Sequence, residues 1–389
     1  MEKSLKKDII INRLPVVIYF ILIFAALMVI ISAVAPMSNH EPKTTDTYSD
    51  FSTGWLNCEE SEASLDHLSG TTVIHRTITA ADCNKTLFFF AKTSNIKVFI
   101  DGVCQYRNNH FCSQFFGKTP GALFVNVLIP AESDGKLLEI EIENPYKDDD
   151  SAKLDEMYIG DISDIIQFQQ QKRFNSFCIS FIIMVLGVVM LLLFIPLTRQ
   201  KIVGIEFLNL GVTAFVSGLY LTTDGRYLQL VFGDAHIYHV IAETALRLSI
   251  LPFLIFLSQM YDSYSKRISA ILCVIGEIVF AGCFIGEITE IMDYHEILFL
   301  VHVVFAISML FILVSTIKGI VKAPKENIYH NIGCIVLSFM AMTDIIILWR
   351  GTGRETSYFI RLGILIFFFM EIVQIIKKVP CLLSAQYQK

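Results

Sequence analysis

Eight stretches of this chain are long and apolar enough to cross a bilayer, and their order, one, then a long gap, then seven in succession, limits its fold more than any other feature. A hydrocarbon core about 30 Å thick is crossed by roughly 20 helical residues at 1.5 Å each. Leu14 to Ala35 is the first run, and the others lie near 174–197, 203–222, 238–260, 268–287, 296–317, 330–349 and 356–376. Composition agrees, with 54% of the 389 residues hydrophobic and only 17% charged. A water-soluble enzyme is thereby excluded. So is a nucleic-acid-binding surface, because the basic residues sit at the ends of apolar runs instead of clustering on one exposed face.

Lysine and arginine set the expected orientation, since short cytoplasmic loops carry their excess. With the N-terminus inside, Lys3, Lys6, Lys7, Arg13, Arg199, Lys201, Lys266, Arg267, Lys318, Lys322, Lys325, Lys377, Lys378 and Lys389 all fall on the cytoplasmic side. The short outer loops hold only Arg226, Arg350 and Arg354. The sequence thus predicts a multi-pass protein of the cell membrane with both termini cytoplasmic and residues 36–173 outside. Its expected parts are a basic N-terminus (1–13), an anchor (14–35), an extracytoplasmic domain (36–165), a seven-helix domain (166–378) and a short cytoplasmic tail (379–389). Cleavage as a signal peptide after Ala33-Val34-Ala35 stays open, although the length of the run and Pro36 favour an uncleaved anchor.

The outer domain reads as β structure. Residues 36–170 carry 21 acidic and 10 basic residues, a net −11 that leaves +5 for the rest. Runs rich in β-formers cover Thr71–Thr79, Thr86–Lys92, Ile96–Ile100, Val103–Arg107, Ala122–Ile129 and Lys136–Glu143, separated by turn residues. Asp101-Gly102 suits a type I′ hairpin, and Leu138-Glu139-Ile140-Glu141-Ile142-Glu143 alternates strictly, as a strand with one buried face must. The fold class expected is an antiparallel, jelly-roll-like β-sandwich joined to a seven-helix transmembrane bundle, with Asp161 to Phe174 as an amphipathic link. Cys58, Cys83, Cys104 and Cys112 are even in number in an oxidising compartment; two disulfides, of which 58 with 83 and 104 with 112 is the most local pairing, and four free thiols both remain open.

Several stretches in this order resemble the bacterial 7TM receptors with diverse intracellular signalling modules, in the branch with an extracellular jelly roll. They are Phe90-Ala91-Lys92-Thr93-Ser94-Asn95-Ile96-Lys97-Val98-Phe99-Ile100-Asp101-Gly102, Gly117-Lys118-Thr119-Pro120-Gly121, Glu143-Asn144-Pro145-Tyr146, Tyr158-Ile159-Gly160, Gly218-Leu219-Tyr220-Leu221-Thr222-Thr223-Asp224 and Leu228-Gln229-Leu230-Val231-Phe232-Gly233. The resemblance implies a sensory receptor. Members of that family usually continue into a diguanylate cyclase, kinase or phosphatase, whereas only Val379 to Lys389 follow the last lysine pair here. No output signature is present, so no catalytic residue is assigned, and the expected output lies in a cytoplasmic partner or was lost from a degenerate member.

Charged groups within a bilayer cost about 2.5–3.5 kcal/mol each on insertion scales. Glu243 and Arg247, four apart on one helix, share a face and an outer-half depth with His302, Asp344 and Arg361. They form either a polar pocket linking helices or two ion pairs, Glu243–Arg247 and Asp344–Arg361, that pin the packing. Glu206, Glu277 and Glu371 lie deeper. Gly282 and Gly286 form a small-residue pair that suits close helix approach, and a homodimer is among the compatible assemblies. Outside, Trp55, Tyr106, Phe111, Phe115, Phe116 and Tyr146 are candidate stacking surfaces for an extracellular small molecule or carbohydrate, with Trp55, Tyr106, Phe115 and Phe116 the chosen set. No motif calls for a cofactor or a metal. The resulting expectation is a receptor that signals across the lipid bilayer, with a transporter or channel as the competing class.

Overall fold

The computed structural model describes residues 47–92, 94–108, 121–146, 152–199, 203–260, 263–289, 291–323, 327–349 and 357–386. The anchor expected at 14–35, and Phe111, Cys112, Phe115 and Phe116, lie outside these residues.

Nine strands form the first part of the described chain: β1 (Tyr48–Asp50), β2 (Leu56–Asn57), β3 (Thr71–Thr77), β4 (Thr86–Lys92), β5 (Asn95–Ile100), β6 (Val103–Arg107), β7 (Ala122–Leu128), β8 (Leu137–Glu143) and β9 (Lys153–Gly160). They pair in two antiparallel sheets, β1-β9-β4-β7 and β2-β3-β8-β5-β6. Apart from the two-residue edge β2, this order is that of a jelly roll, in which two Greek keys fold over one core. Asp101 and Gly102 both take positive φ, at 51° and 74°, as the type I′ hairpin requires. Along β8, Leu138, Ile140 and Ile142 are fully buried while Glu141 faces outward and pairs with Lys97 across the sheet at 2.6 Å.

β4 departs from that alternation, because nearly every residue in Thr-Leu-Phe-Phe-Phe-Ala-Lys is buried. Leu87, Phe89 and Ala91 point into the sandwich. Phe88 and Phe90 point the other way, where Phe88 stacks on Phe124 at 5.3 Å and the Arg226 guanidinium lies 4.0 Å above the Phe90 ring. A strand buried on both faces reads as a continuous apolar run. What covers the outer face is the helical part of the chain.

That part comprises α1 (Ile162–Arg199), α2 (Ile205–Asp224), the short α3 (Tyr227–Phe232), α4 (Ala235–Met260), α5 (Ser263–Ile288), α6 (Tyr294–Lys322), α7 (Ile328–Trp349) and α8 (Tyr358–Gln386). All but α3 include a stretch long and apolar enough to span a membrane. Their core on the side far from the sandwich is aromatic, with Phe253, Phe256, Phe367 and Phe368 meeting edge to face. The last helix runs beyond the expected boundary at 378, so most of the predicted tail is helical.

One expectation about the junction is corrected. Lys153–Gly160, within the range expected to be β structure, is a central strand of the first sheet, between β1 and β4. The segment predicted as a separate link is the start of α1, which at 38 residues is about 57 Å long, nearly twice the bilayer core. Its first three turns stand above the membrane against the sandwich, with Phe168 between Tyr48 and Tyr158. The pairing of β9 with β4 skips a residue opposite Phe88 and Phe90, and within that bulge Glu156 adopts φ 54°. A left-handed non-glycine residue is strained. Here the bulge turns the carboxylate onto α1, where it meets Arg173 at 2.7 Å and Lys172 at 2.9 Å.

Burial opposes ionisation of Glu156, but Arg173 and Lys172 outweigh it and hold the carboxyl below its ordinary 4.5. A depressed carboxylate stabilises the fold above its unfolded pKa and loses that contribution as pH falls through the folded value. Glu156→Gln is therefore expected to destabilise the full chain by about 1–3 kcal/mol at pH 7. In thermal unfolding against pH, the gap between variant and wild type should close below pH 4.5.

Candidate functional site

A cavity of about 240 Å³ opens where the jelly roll meets the bundle. Its roof is the end of β4 at Lys92 and the start of β7 at Gly121 and Ala122. Its walls descend along α2, α4, α6, α7 and α8. From Ala235 at the rim to Leu246 at the floor, α4 runs eleven residues, or roughly 16 Å. Polarity falls along that axis. Lys92, Arg226, Gln229, His239 and His295 lie near the roof, Leu246, Phe305 and Ala341 line the deep end, and Glu243, His302 and Asp344 lie between them.

The roof is held by contacts that only this chain geometry supplies. Gly121 has φ 77°, and a Cβ placed on it would come within 2.5 Å of the His239 ring. Glycine is thus required twice over, by backbone conformation and by the approach of α4. Gln229 of α3 meets the free edge of β7; with its amide oriented to satisfy both partners, the nitrogen lies 3.3 Å from the Ala122 carbonyl and the oxygen 2.9 Å from the Phe124 N–H. An exposed sheet edge is thereby closed. On the other flank the Tyr146 hydroxyl donates to Asp293, and the Tyr146 ring lies 4.5 Å from His295. Asp293 caps α6, accepting from the N–H groups of His295 and Glu296, so the sandwich grips the first turn of that helix.

Three of the five intramembrane residues picked from the sequence, Glu243, His302 and Asp344, line this cavity. Arg247 sits behind the wall, 3% exposed. It pairs with Glu243 at 2.5 Å, donates to the Tyr294 carbonyl at 2.8 Å and lies 4.2 Å over the Tyr294 ring. Arg361 is also buried behind the wall, beside Gly225 at the α2–α3 junction. Asp344 does more than neutralise charge: its carboxylate accepts from the N–H groups of Phe359 at 3.3 Å and Ile360 at 2.6 Å, satisfying the start of α8. Tyr220 and Asp224 join the site through Ser357, at 3.3 Å each. His239 and His302 make no hydrogen bond among the described residues. Both leave ring nitrogens for a bound molecule.

The outer-domain candidates fare differently. Trp55 is 1% exposed, and its indole N–H donates to the Phe51 carbonyl at 2.8 Å, so it is a core residue and offers no stacking surface. Tyr106 lines a second cleft of about 470 Å³, with Phe88, Phe124, Asn126 and Asp234, that adjoins the first through Gln229 and Ala235. Cys58, Cys83 and Cys104 stand as free thiols in the structure, Cys58 and Cys104 exposed. Among the described residues no cluster of histidine, cysteine or carboxylates suits a metal ion.

Sequence reasoning missed the seam residues, because Lys92, Gly121, Gln229 and His239 look ordinary until the sandwich lands on the bundle. It also missed a polar cluster near the far side. His330 on α7 and Glu371 on α8, both buried, meet at 2.5 Å, with the Cys334 sulfur 3.6 Å from the other ring nitrogen. Glu371 was legible as an intramembrane acid, but its partner 41 residues away was not. Comparison with protein-family models, with characterised proteins and with solved structures finds no match to this chain.

Gly121→Ala is expected to lower stability by about 1–3 kcal/mol, since strain and overpacking coincide. Limited proteolysis should then release the sandwich from the bundle earlier than in wild type. His330→Ala strands a buried carboxylate and is expected to cost about 3–5 kcal/mol in chemical denaturation, with His330→Gln recovering part of the loss.

Proposed function

We propose that this chain is a membrane receptor that binds a small amphiphilic molecule in the seam cavity and passes its occupancy to a cytosolic partner. The single observation that supports this most is the composition of the cavity wall, which draws on the neighbouring strands β4 and β7 of the sandwich roof and on five membrane helices. A molecule seated there touches all of them at once. It therefore has differential contacts with any two arrangements of lid and helices, the condition for shifting a population. The graded lining favours a ligand with a polar head under the roof and an apolar end against Leu246 and Phe305. The resemblance to 7TM receptors with a jelly-roll ectodomain points the same way, and the lysine-rich side opposite the sandwich supports an outer position for that domain.

Transport is the weaker reading. Beneath the cavity the bundle is filled by the aromatic core of Phe253, Phe256, Phe367 and Phe368, each buried. The His330–Glu371 pair on α7 and α8 lies beyond that core, where a helix shift would be read from the cytosol.

The test is ligand binding by the full chain in lipid nanodiscs. Thermal shift against medium-chain amphiphiles with amine, carboxylate and amino-acid heads should yield a saturable rise for one head class, and none for the head group alone. Ala242→Phe, which fills the cavity from α4, should weaken that binding at least tenfold while the unliganded protein remains monodisperse. Equal response to free sugars, unchanged by Ala242→Phe, would contradict the reading.

A further inference from the structure

The seam cavity sorts its charges by depth. Three acids line it, Asp224, Glu243 and Asp344, and each is answered from behind the wall. Arg247 pairs with Glu243 at 2.5 Å, the Phe359 and Ile360 N–H groups donate to Asp344, and the charge of Arg361 acts on Asp224. The two cations of the lining, Lys92 and Arg226, stand at the roof itself. The Arg226 guanidinium is laid on the Phe90 ring at 4.0 Å, and its backbone holds φ 60°, a strained conformation for arginine. The roof therefore favours an anionic head over a cationic one.

One turn deeper the polarity changes in kind. His239 and Glu243 are four residues apart on α4, about 6 Å along its axis, and His302 of α6 lies within electrostatic reach of Glu243. Arg247 engages Oε2 of Glu243 and leaves Oε1 to the cavity, while His302 makes no hydrogen bond among the described residues. A carboxylate oxygen only accepts, whereas an imidazole always carries an N–H donor. A hydroxyl between them donates to Glu243 and accepts from His302, so one group satisfies both. Three residues further along each helix, about 4.5 Å, Leu246 and Phe305 close the cavity with apolar side chains.

On the reading that the seam cavity is the receptor site, we infer that its ligand is a medium-chain carboxylate with a hydroxyl at mid-chain. The head lies beneath Lys92 and Arg226, the hydroxyl between Glu243 and His302, and the apolar end against Leu246 and Phe305. At roughly 1.25 Å of advance per zigzag carbon bond, about ten carbons cover the distance from the level of His239 to the floor.

The full chain in phosphatidylcholine nanodiscs, which bring no anionic lipid to compete, is titrated calorimetrically with decanoate, decanamide and decylamine. Decanoates hydroxylated beside the head, at mid-chain or near the tail complete the series. Decanoate is expected to bind roughly tenfold tighter than the amide or the amine. A mid-chain hydroxyl should add about fivefold, and the other two positions nothing. Lys92→Gln should shrink the decanoate-to-decanamide ratio and keep the hydroxyl gain. His302→Leu should erase the hydroxyl gain and still bind decanoate. Both readouts are ratios between two ligands on one protein, so a general loss of stability does not imitate them. Equal binding of decanoate and decanamide, tighter binding of decylamine, or a hydroxyl gain unchanged by His302→Leu overturns the inference and keeps the seam site. Binding of none of these probes removes the site and the inference with it.

Discussion

The grip of one carboxylate on one helix fixes the geometry of this molecule. Glu156 leaves the line of β9 through a bulge, at the expense of a left-handed backbone, and seizes Arg173 and Lys172 three turns into α1. Since β9 is central in its sheet and runs into α1 after a single residue, that contact sets the angle between sandwich and membrane. Arg173 also lies 4.9 Å over the Phe124 ring of β7, so the same guanidinium ties together two strands and a helix. Without this bracket the β1-β9-β4-β7 sheet would expose Phe88, Phe90 and Phe124 to water.

From the bracket the seam follows. Once the sheet lies on the bundle, Gly121 meets His239, Gln229 closes the β7 edge, and Tyr146 reaches Asp293. The Gln229 and Tyr146 contacts pair polar groups across the seam, and the Gly121 contact lets α4 come close. The cavity is the space these contacts leave. Its charged lining is compatible with bilayer depth because Arg247, Arg361 and the N-terminus of α8 stand immediately behind Glu243, Asp224 and Asp344.

Much of this was legible in the sequence. The apolar runs gave the seven spans because a bilayer imposes a minimum length, and strict alternation in Leu138 to Glu143 gave β8 its buried face. Glu243 and Arg247 were found as a pair because helical spacing is local. The failures share a cause. Lys153 to Gly160 has no clean period of two, since a bulge interrupts it, so this central strand is missing from the runs that the pattern picks out. Trp55 looked like a contact because burial depends on which sheet folds over it. Gly121, Gln229 and His330 acquire meaning only from what lies opposite them, and a linear pattern carries no record of that.

The account stands on the sandwich being a fixed lid and not a tethered domain. The most direct measurement is a spin-label distance in nanodiscs between Val103, at the tip of the β5–β6 hairpin, and Thr289, at the sandwich-side end of α5, both exposed. A single narrow distribution, broadened by Glu156→Gln, is the expected result. A broad distribution in the wild type, unaffected by that substitution, would contradict a fixed lid and with it the seam cavity.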